Sequence, residues 1–188
     1  MAASEPADED LLARYLCGDR SAFERLYRRH DRQTFAFFRQ MLHPTDRATV
    51  EDLHQDGWLA VASKAGSFTP GKARFSTWLY TIMRNRVPDH LRAHRLQSQE
   101  DASDLDLLAS PAAGPEQALA GKRLVAAVEH GLLGLPVEQR EAFLLFTVVE
   151  LSLAEIADVT QSPAETAKTR LRYAREGLRH RLSEWRDG

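Results

Sequence analysis

Two helix starts of one type, ten residues apart, constrain the C-terminal part of this chain more than any other feature: SLAE from Ser152 to Glu155 and SPAE from Ser162 to Glu165. In such a start the serine oxygen accepts an early backbone N–H, while the glutamate reaches back to the serine's own N–H. Pro163 adds a ring pre-shaped for the first helical turn. The spacing predicts a short helix over Ser152–Val159, a tight turn, and a longer basic helix over Pro163–Trp185. Gln161 stands where glycine is common in such turns, and a non-glycine residue at positive φ costs ~1 kcal/mol, which a fold tolerates. Ile156, Ala157 and Val159 would pack against Ala167, Leu171 and Ala174. Small residues there permit the steep crossing of a helix-turn-helix, whose second helix enters the major groove of duplex DNA. Glu165, Thr166, Lys168, Thr169 and Arg172 lie on the outward side near that helix's start, with Arg170, Arg175 and Arg179 placed for phosphates. An amphipathic hairpin with a charged face is the plainer alternative.

Charge segregation divides the rest. From Leu96 to Gly121 there is no lysine or arginine, while Glu100, Asp101, Asp104, Asp106 and Glu116 are acidic. The same stretch holds ASPAAGP and no sustained apolar period, so it reads as a flexible acidic linker over 96–118. Lys72, Arg74, Arg84, Arg86, Arg92 and Arg95 precede it against one acid, Asp89, and the basic helix follows it. Gly and Pro punctuate segments of 3.6-residue period, and no alternating β-branched stretch competes. The expected fold is all-α: one small helical domain over 1–95, the linker, and a second small helical domain over 119–188.

In the first domain, SAFE from Ser21 reads as another capping box, opening a helix whose Phe23, Leu26, Tyr27, Phe35 and Phe38 face inward. The next helix runs from about Thr49 to Lys64. Its Glu51, Asp52, Gln55 and Asp56 make an acidic and amide face, with Leu53, Trp58, Leu59 and Val61 on the apolar side. That face suits docking onto a basic protein partner; solvated surface is the other reading. In FSTWLYTIMRNRVPDHLRAHR, Phe75, Leu79, Ile82 and Met83 suit a core, while Trp78 and Tyr80 interleave with Arg84, Asn85 and Arg86. Aromatic faces stack on unpaired bases at ~1–3 kcal/mol each, and amides read base edges. Phe68 and the TPGK loop lie just upstream. Taken singly, Trp78 and Tyr80 would more often be core. Pro88 predicts a kink or a helix restarting at Asp89.

Other chemistry finds little support. His90 and His94 have the spacing of a two-histidine metal face, but Arg86, Arg92 and Arg95 surround them and no glutamate sits between. His54 beside Asp52 and Asp56 lacks a third ligand. Cys17 is the one cysteine and reads as a small buried residue of the first helix. With no glycine-rich phosphate loop or serine elbow, no enzyme, cofactor or metal is expected. No apolar run approaches the ~20 residues of a membrane span, and with the lone cysteine this makes a cytoplasmic protein the expectation.

Taken together, DEDLLARYLCGDRSAFERLYRRH, the acidic helix, FSTWLYTIMRNRVPDHLR, the linker, LGLPVEQREAFLL and the helix-turn-helix resemble bacterial sigma factors of the extracytoplasmic-function class. The resemblance covers nearly the whole chain. It implies a σ2–linker–σ4 protein that binds core RNA polymerase and directs it to promoters. Glu51, Asp52, Gln55 and Asp56 would meet the β′ clamp helices, and the second domain the β flap. Phe68, Trp78, Tyr80, Arg84, Asn85 and Arg92 would capture the −10 element as single strand. Glu165, Thr166, Lys168, Thr169, Arg170, Arg172 and Arg175 would contact the −35 duplex. Asp56 stands where a glutamate is usual, Gly57 would add flexibility to the docking helix, and Glu165 and Ala167 alter the reading helix. Members are commonly held inactive by an anti-sigma factor, and nothing in this chain identifies one. The alternative is a dimeric regulator that uses the helix-turn-helix without polymerase.

Overall fold

The computed structural model describes residues 5–42, 45–87 and 125–187. Among them there is no strand, and eight α-helices account for most of the chain. They are α1 (Asp8–Leu16), α2 (Arg20–Leu42), α3 (Arg47–Lys64), α4 (Phe75–Arg84), α5 (125–133), α6 (Val137–Thr147), α7 (Leu153–Thr160) and α8 (Ala164–Asp187). Pro88, His90, Arg92 and His94, and the linker with its boundaries at 95 and 119, lie outside the described residues.

Local chemistry sets the helix starts, though not always at the residue the sequence suggested. Asp19, not Ser21, caps α2: its Oδ1 accepts from the Ser21 hydroxyl (2.6 Å) and the N–H groups of Ser21 (3.0 Å) and Ala22 (3.3 Å). Glu24, the other half of the expected box, binds Arg28 instead. A cap two residues earlier satisfies the same orphan donors, so the serine became a donor rather than the acceptor. Likewise Asp46 caps α3 by accepting from Thr49 N (2.9 Å). Gly18 turns the chain between α1 and α2 at φ 97°, a region open to glycine without cost. Cys17 ends α1 and is exposed, contrary to the expectation of burial.

Once helical, α2 presents Ala22, Leu26, His30, Thr34, Phe37, Phe38, Met41 and Leu42 on one buried stripe. The repeating step of three or four residues places them on one face. Against that stripe lie Leu11 and Leu12 of α1, Trp58 and Val61 of α3, and Phe75, Leu79, Tyr80 and Met83 of α4. Phe37 meets Tyr80 edge-on at 5.5 Å, a favoured arrangement for paired rings. Gly57 contributes close approach, not flexibility: a Cβ there would stand 2.6 Å from Met83 Sδ and 3.4 Å from Phe38 Cζ.

The second module packs Ala142, Leu144, Leu145, Ile156, Val159, Ala167, Leu171, Ala174 and Leu178 inward. Ile156, Ala157, Val159, Ala167, Leu171 and Ala174, the expected hairpin contact set, are all buried. Ser152 and Glu155 form the reciprocal box as read, and Gln161 sits in the left-handed region at φ 50°. The second box does not form: the Ser162 hydroxyl meets Thr160 Oγ1 (2.8 Å), and Glu165 accepts from Lys168 (3.0 Å). One connected set of buried apolar side chains runs through both modules, with α4 against α7 and α2 against α6.

The Asp19 cap has a pH signature. The hydrogen bond from the Ser21 hydroxyl, then that from Arg14, holds its carboxyl down to about 2 against an ordinary 3.8. A depressed carboxylate stabilises the fold above its ordinary value and loses that contribution as pH falls through the lower one. Asp19 should therefore titrate near 2 when its side-chain carboxyl is followed by NMR. A midpoint near the ordinary value would show that the cap is open in solution.

Candidate nucleic-acid interface

Three aromatic rings gather where the loop after α3 enters α4. Phe68 lies 6.2 Å from Phe75 and 5.5 Å from Trp78, and Phe75 lies 5.7 Å from Trp78. Phe75 is fully buried; Phe68 and Trp78 are half-buried, each with part of its ring at the surface. The N-terminus of α4 is tied down by Glu9, whose Oε1 accepts from Phe75 N (3.0 Å). Lys72 and Arg74 are exposed just before this cluster, whereas exposed Asn85 and half-buried Arg84 stand at the other end of α4. A ring held by two others, with cations beside it, can stack on an unpaired base without first ordering a mobile side chain.

Tyr80 does not belong with them. Its ring is fully buried against Phe37, its hydroxyl has no hydrogen-bond partner, and burial pushes the phenol up. Successive residues of a helix point about 100° apart, and α4 spends this position on the core. Thr77, which sequence reading passed over, faces the other module.

The acidic face of α3 is present as expected: Glu51, Asp52, Gln55 and Asp56 are all exposed, with Glu51 held by Arg47 (2.7 Å). Leu59 departs from expectation. It is 61% exposed, where burial was predicted. With Tyr27 it borders an open groove of ≈ 570 Å³ between α2 and α3, whose walls include Phe23, Asp31, Glu51 and Gln55. His54 points inward instead of joining Asp52 and Asp56. Its Nε2 lies 2.8 Å from Thr34 Oγ1 and accepts from Trp58 Nε1 (3.1 Å), and burial, opposed by Asp31, lowers its pKa. These contacts make the imidazole part of the scaffold.

On α8, Glu165, Lys168, Thr169 and Arg172 form an exposed stripe opposite buried Ala167, Leu171 and Ala174. Thr166 and Arg170 are half-buried. Arg172 is 4.4 Å from the ring centre of Tyr173, itself 46% exposed. Tyr173 was missed in the sequence, although an aromatic between two arginines in LRYAR was a usable signal. Arg175 lies over the ring of Phe146, near the C-terminal end of α6, at 4.6 Å while remaining exposed.

Among the described residues six polar contacts cross from the first module to the second, one of them from Gln33 Nε2 to the Val148 carbonyl (3.3 Å). Arg84 Nε donates to Glu141 Oε1 (2.7 Å). Arg39 (2.7 Å) and Gln40 (3.0 Å) both donate to Glu129 Oε1. Arg74 (3.3 Å) and the Thr77 hydroxyl (3.2 Å) both donate to Glu155 Oε1. Burial pushes the Glu141 carboxyl up, opposed by Arg84.

Two family models match: Sigma-70 region 2 over residues 26–105 and Sigma-70, region 4 over residues 126–178. The ECF RNA polymerase sigma factor SigM of Mycobacterium tuberculosis is 34% identical over 174 residues, covering 93% of this chain and 84% of that protein. SigW of Bacillus subtilis, another ECF RNA polymerase sigma factor, is 27% identical, covering 89% and 92%. Among solved structures, CnrH in complex with the cytosolic domain of CnrY superposes with a TM-score of 0.69 at 25% identity, covering 95% of this chain and 99% of that one.

The burial of Tyr80 generates a clean test. Tyr80→Phe removes a hydroxyl that is buried without a partner, and such a group costs about 1–3 kcal/mol to bury. The variant should match or exceed the parent in denaturant midpoint and bind DNA unchanged. Weakened DNA binding with intact stability would return Tyr80 to the interface.

Proposed function

The chain belongs to the ECF RNA polymerase sigma factors, which direct transcription initiation with core polymerase, and we infer from its geometry which residues carry each step. The first module docks on core polymerase through the acidic face of α3 and the groove beside it. What supports this is the pairing of exposed Glu51, Asp52 and Asp56 with uncovered Leu59 and Tyr27 on one side of the module. A basic helical partner such as the β′ clamp helices would meet charge and apolar surface together, which gives orientation as well as attraction.

The −10 element is taken as single strand by Phe68 and Trp78, with Arg84 and Asn85 at the far end of α4 continuing the track. The packing of Trp78 on two other rings carries this assignment. The −35 element is read by the α8 stripe of Glu165, Lys168, Thr169 and Arg172, with Thr166 and Tyr173 beside it and Arg170 and Arg175 towards the phosphates. The β flap is the partner for the second module. The regulator reading, which left the N-terminal half without a polymerase role, falls to the region 2 match. No helix of the described residues is long and apolar enough to cross a membrane; a cytoplasmic location follows from working on polymerase and chromosomal DNA. No residue is assigned a catalytic step. CnrH was solved with the cytosolic domain of CnrY; an anti-sigma factor is a proposed partner here.

Run-off transcription on pooled genomic fragments, with and without this protein added to core polymerase, tests the assignment. Discrete transcripts should require the protein. In the same assay Trp78→Ala should cut open-complex formation by tenfold or more, consistent with ~1–3 kcal/mol of lost stacking, while core affinity holds. An equal fall in both would make Trp78 scaffold. Asp56→Arg, by contrast, should weaken core binding about tenfold in competition against a second sigma factor, since it sets like charge against a basic partner. Unchanged competition would remove α3 from the docking face.

A further inference from the structure

The start of α4 is not capped by its own neighbours. Its N-cap is Arg74, extended at φ −68° and ψ 151°, and an arginine side chain offers no acceptor to the orphan N–H groups of the first turn. The acceptor comes from another helix: Glu9 of α1 takes the Phe75 N–H at 3.0 Å, across 66 positions of the chain. A half-buried carboxylate on that N–H is a charge-assisted bond, and it also complements the positive end of the helix dipole.

α1 is in turn fixed to α2. Asp8 binds Arg29 and, at 2.8 Å, His30 Nε2; Arg29 also donates to the Pro6 carbonyl (3.1 Å) and pairs with Glu5 (2.9 Å). Leu11 and Leu12 are buried in the shared core. The ring of His30, held by Asp8, lies 5.4 Å from the ring of Phe75. α1 also lies against the 3₁₀ turn Ala65–Ser67, which leads into Phe68. Phe75 is therefore gripped at its N–H by Glu9 and at its ring by His30. It is also the buried ring on which both Phe68 (6.2 Å) and Trp78 (5.7 Å) rest.

We propose that Glu9 is a positioning residue for strand capture: it caps α4 from α1 and so holds Phe75, and through it Phe68 and Trp78, in the arrangement that meets an unpaired base. The proposal rests on the reading of α4 as the helix that takes the −10 strand. It gives α1, to which no contact with DNA or polymerase is assigned, a part in promoter opening. Stacking depends on ring placement, whereas docking uses the acidic face of α3, so a loosened start of α4 acts on the first and spares the second.

The test uses the full chain with core polymerase. Glu9→Ala should cut open-complex formation about fivefold, the effect of losing one helix cap, while core affinity in competition with a second sigma factor holds. Hydrogen exchange of the Phe75 amide, followed by NMR in the free protein, should quicken by a similar factor. Glu9→Gln keeps a carbonyl acceptor and should restore most of both readings. Asp10→Ala removes an exposed acid from the same turn of α1 and should leave both near the parent. If circular dichroism shows that Glu9→Ala is not folded, Glu9→Asp carries the same comparison: it keeps the charge in α1 but falls one methylene short of the Phe75 N–H. Faster exchange at Phe75 with promoter opening unchanged overturns the proposal. So does an equal fall in opening and core affinity, which would make Glu9 general scaffold. Trp78→Ala in the same assay separates the two readings. If it lowers opening and Glu9→Ala does not, the positioning role alone falls; if neither does, the reading of α4 falls and the positioning role with it.

Discussion

One carboxylate holds the helix-turn-helix and the module seam at the same time. Glu155 Oε2 accepts from Ser152 N (2.9 Å) and so fixes the start of α7, while its Oε1 takes Arg74 and Thr77 of α4. The start of α7 sets its axis, and the left-handed Gln161 sets the turn into α8. The direction in which α8 presents its stripe of Lys168, Thr169 and Arg172 therefore descends from the same residue that ties the second module to the first. A carboxylate has about four acceptor sites, enough to serve both without conflict. Its pKa reflects that: burial works against the charge, but the bonds from Ser152, then Arg74 and Thr77, keep it low.

α2 plays the corresponding part in the first module. Its buried stripe carries the core, one flank forms a wall of the groove with Phe23 and Tyr27, and its Gln33, Arg39 and Gln40 reach the second module. The groove beside α3 and the seam between the modules are thus on different sides of one rigid element.

What the sequence disclosed was whatever depends on neighbours in the chain. The Ser152 box and the turn at Gln161 are settled within ten residues, and both were legible. The Ser21 and Ser162 boxes were misread because a competing partner stood nearby, Asp19 in one case and Thr160 in the other. Period alone placed the buried face of α8, but of the inward set expected on α2 only Leu26 and Phe38 are buried; Phe23 and Phe35 are half-buried and Tyr27 is exposed, because the stripe is rotated towards Ala22, His30, Thr34 and Phe37. Period could not separate Trp78 from Tyr80, since both are aromatic and only the position of Phe37 across the core decides which is spent on packing. Gly57 looked like slack until Met83 was seen 2.6 Å from where its Cβ would lie. Exposed Leu59 and the carboxylates Glu129 and Glu141 are tertiary facts, with no local pattern to announce them.

The energetics of the seam favour a modest hold. A shielded ion pair contributes near zero net once desolvation is counted, although losing one partner is costly. Arg84 with Glu141 and Arg39 with Glu129 are two such pairs, and Arg74 with Glu155 is a third in which the arginine is mostly exposed, worth about 0–1 kcal/mol. The apolar side chains shared across the boundary therefore carry most of the attraction between the modules, and the ion pairs fix their register.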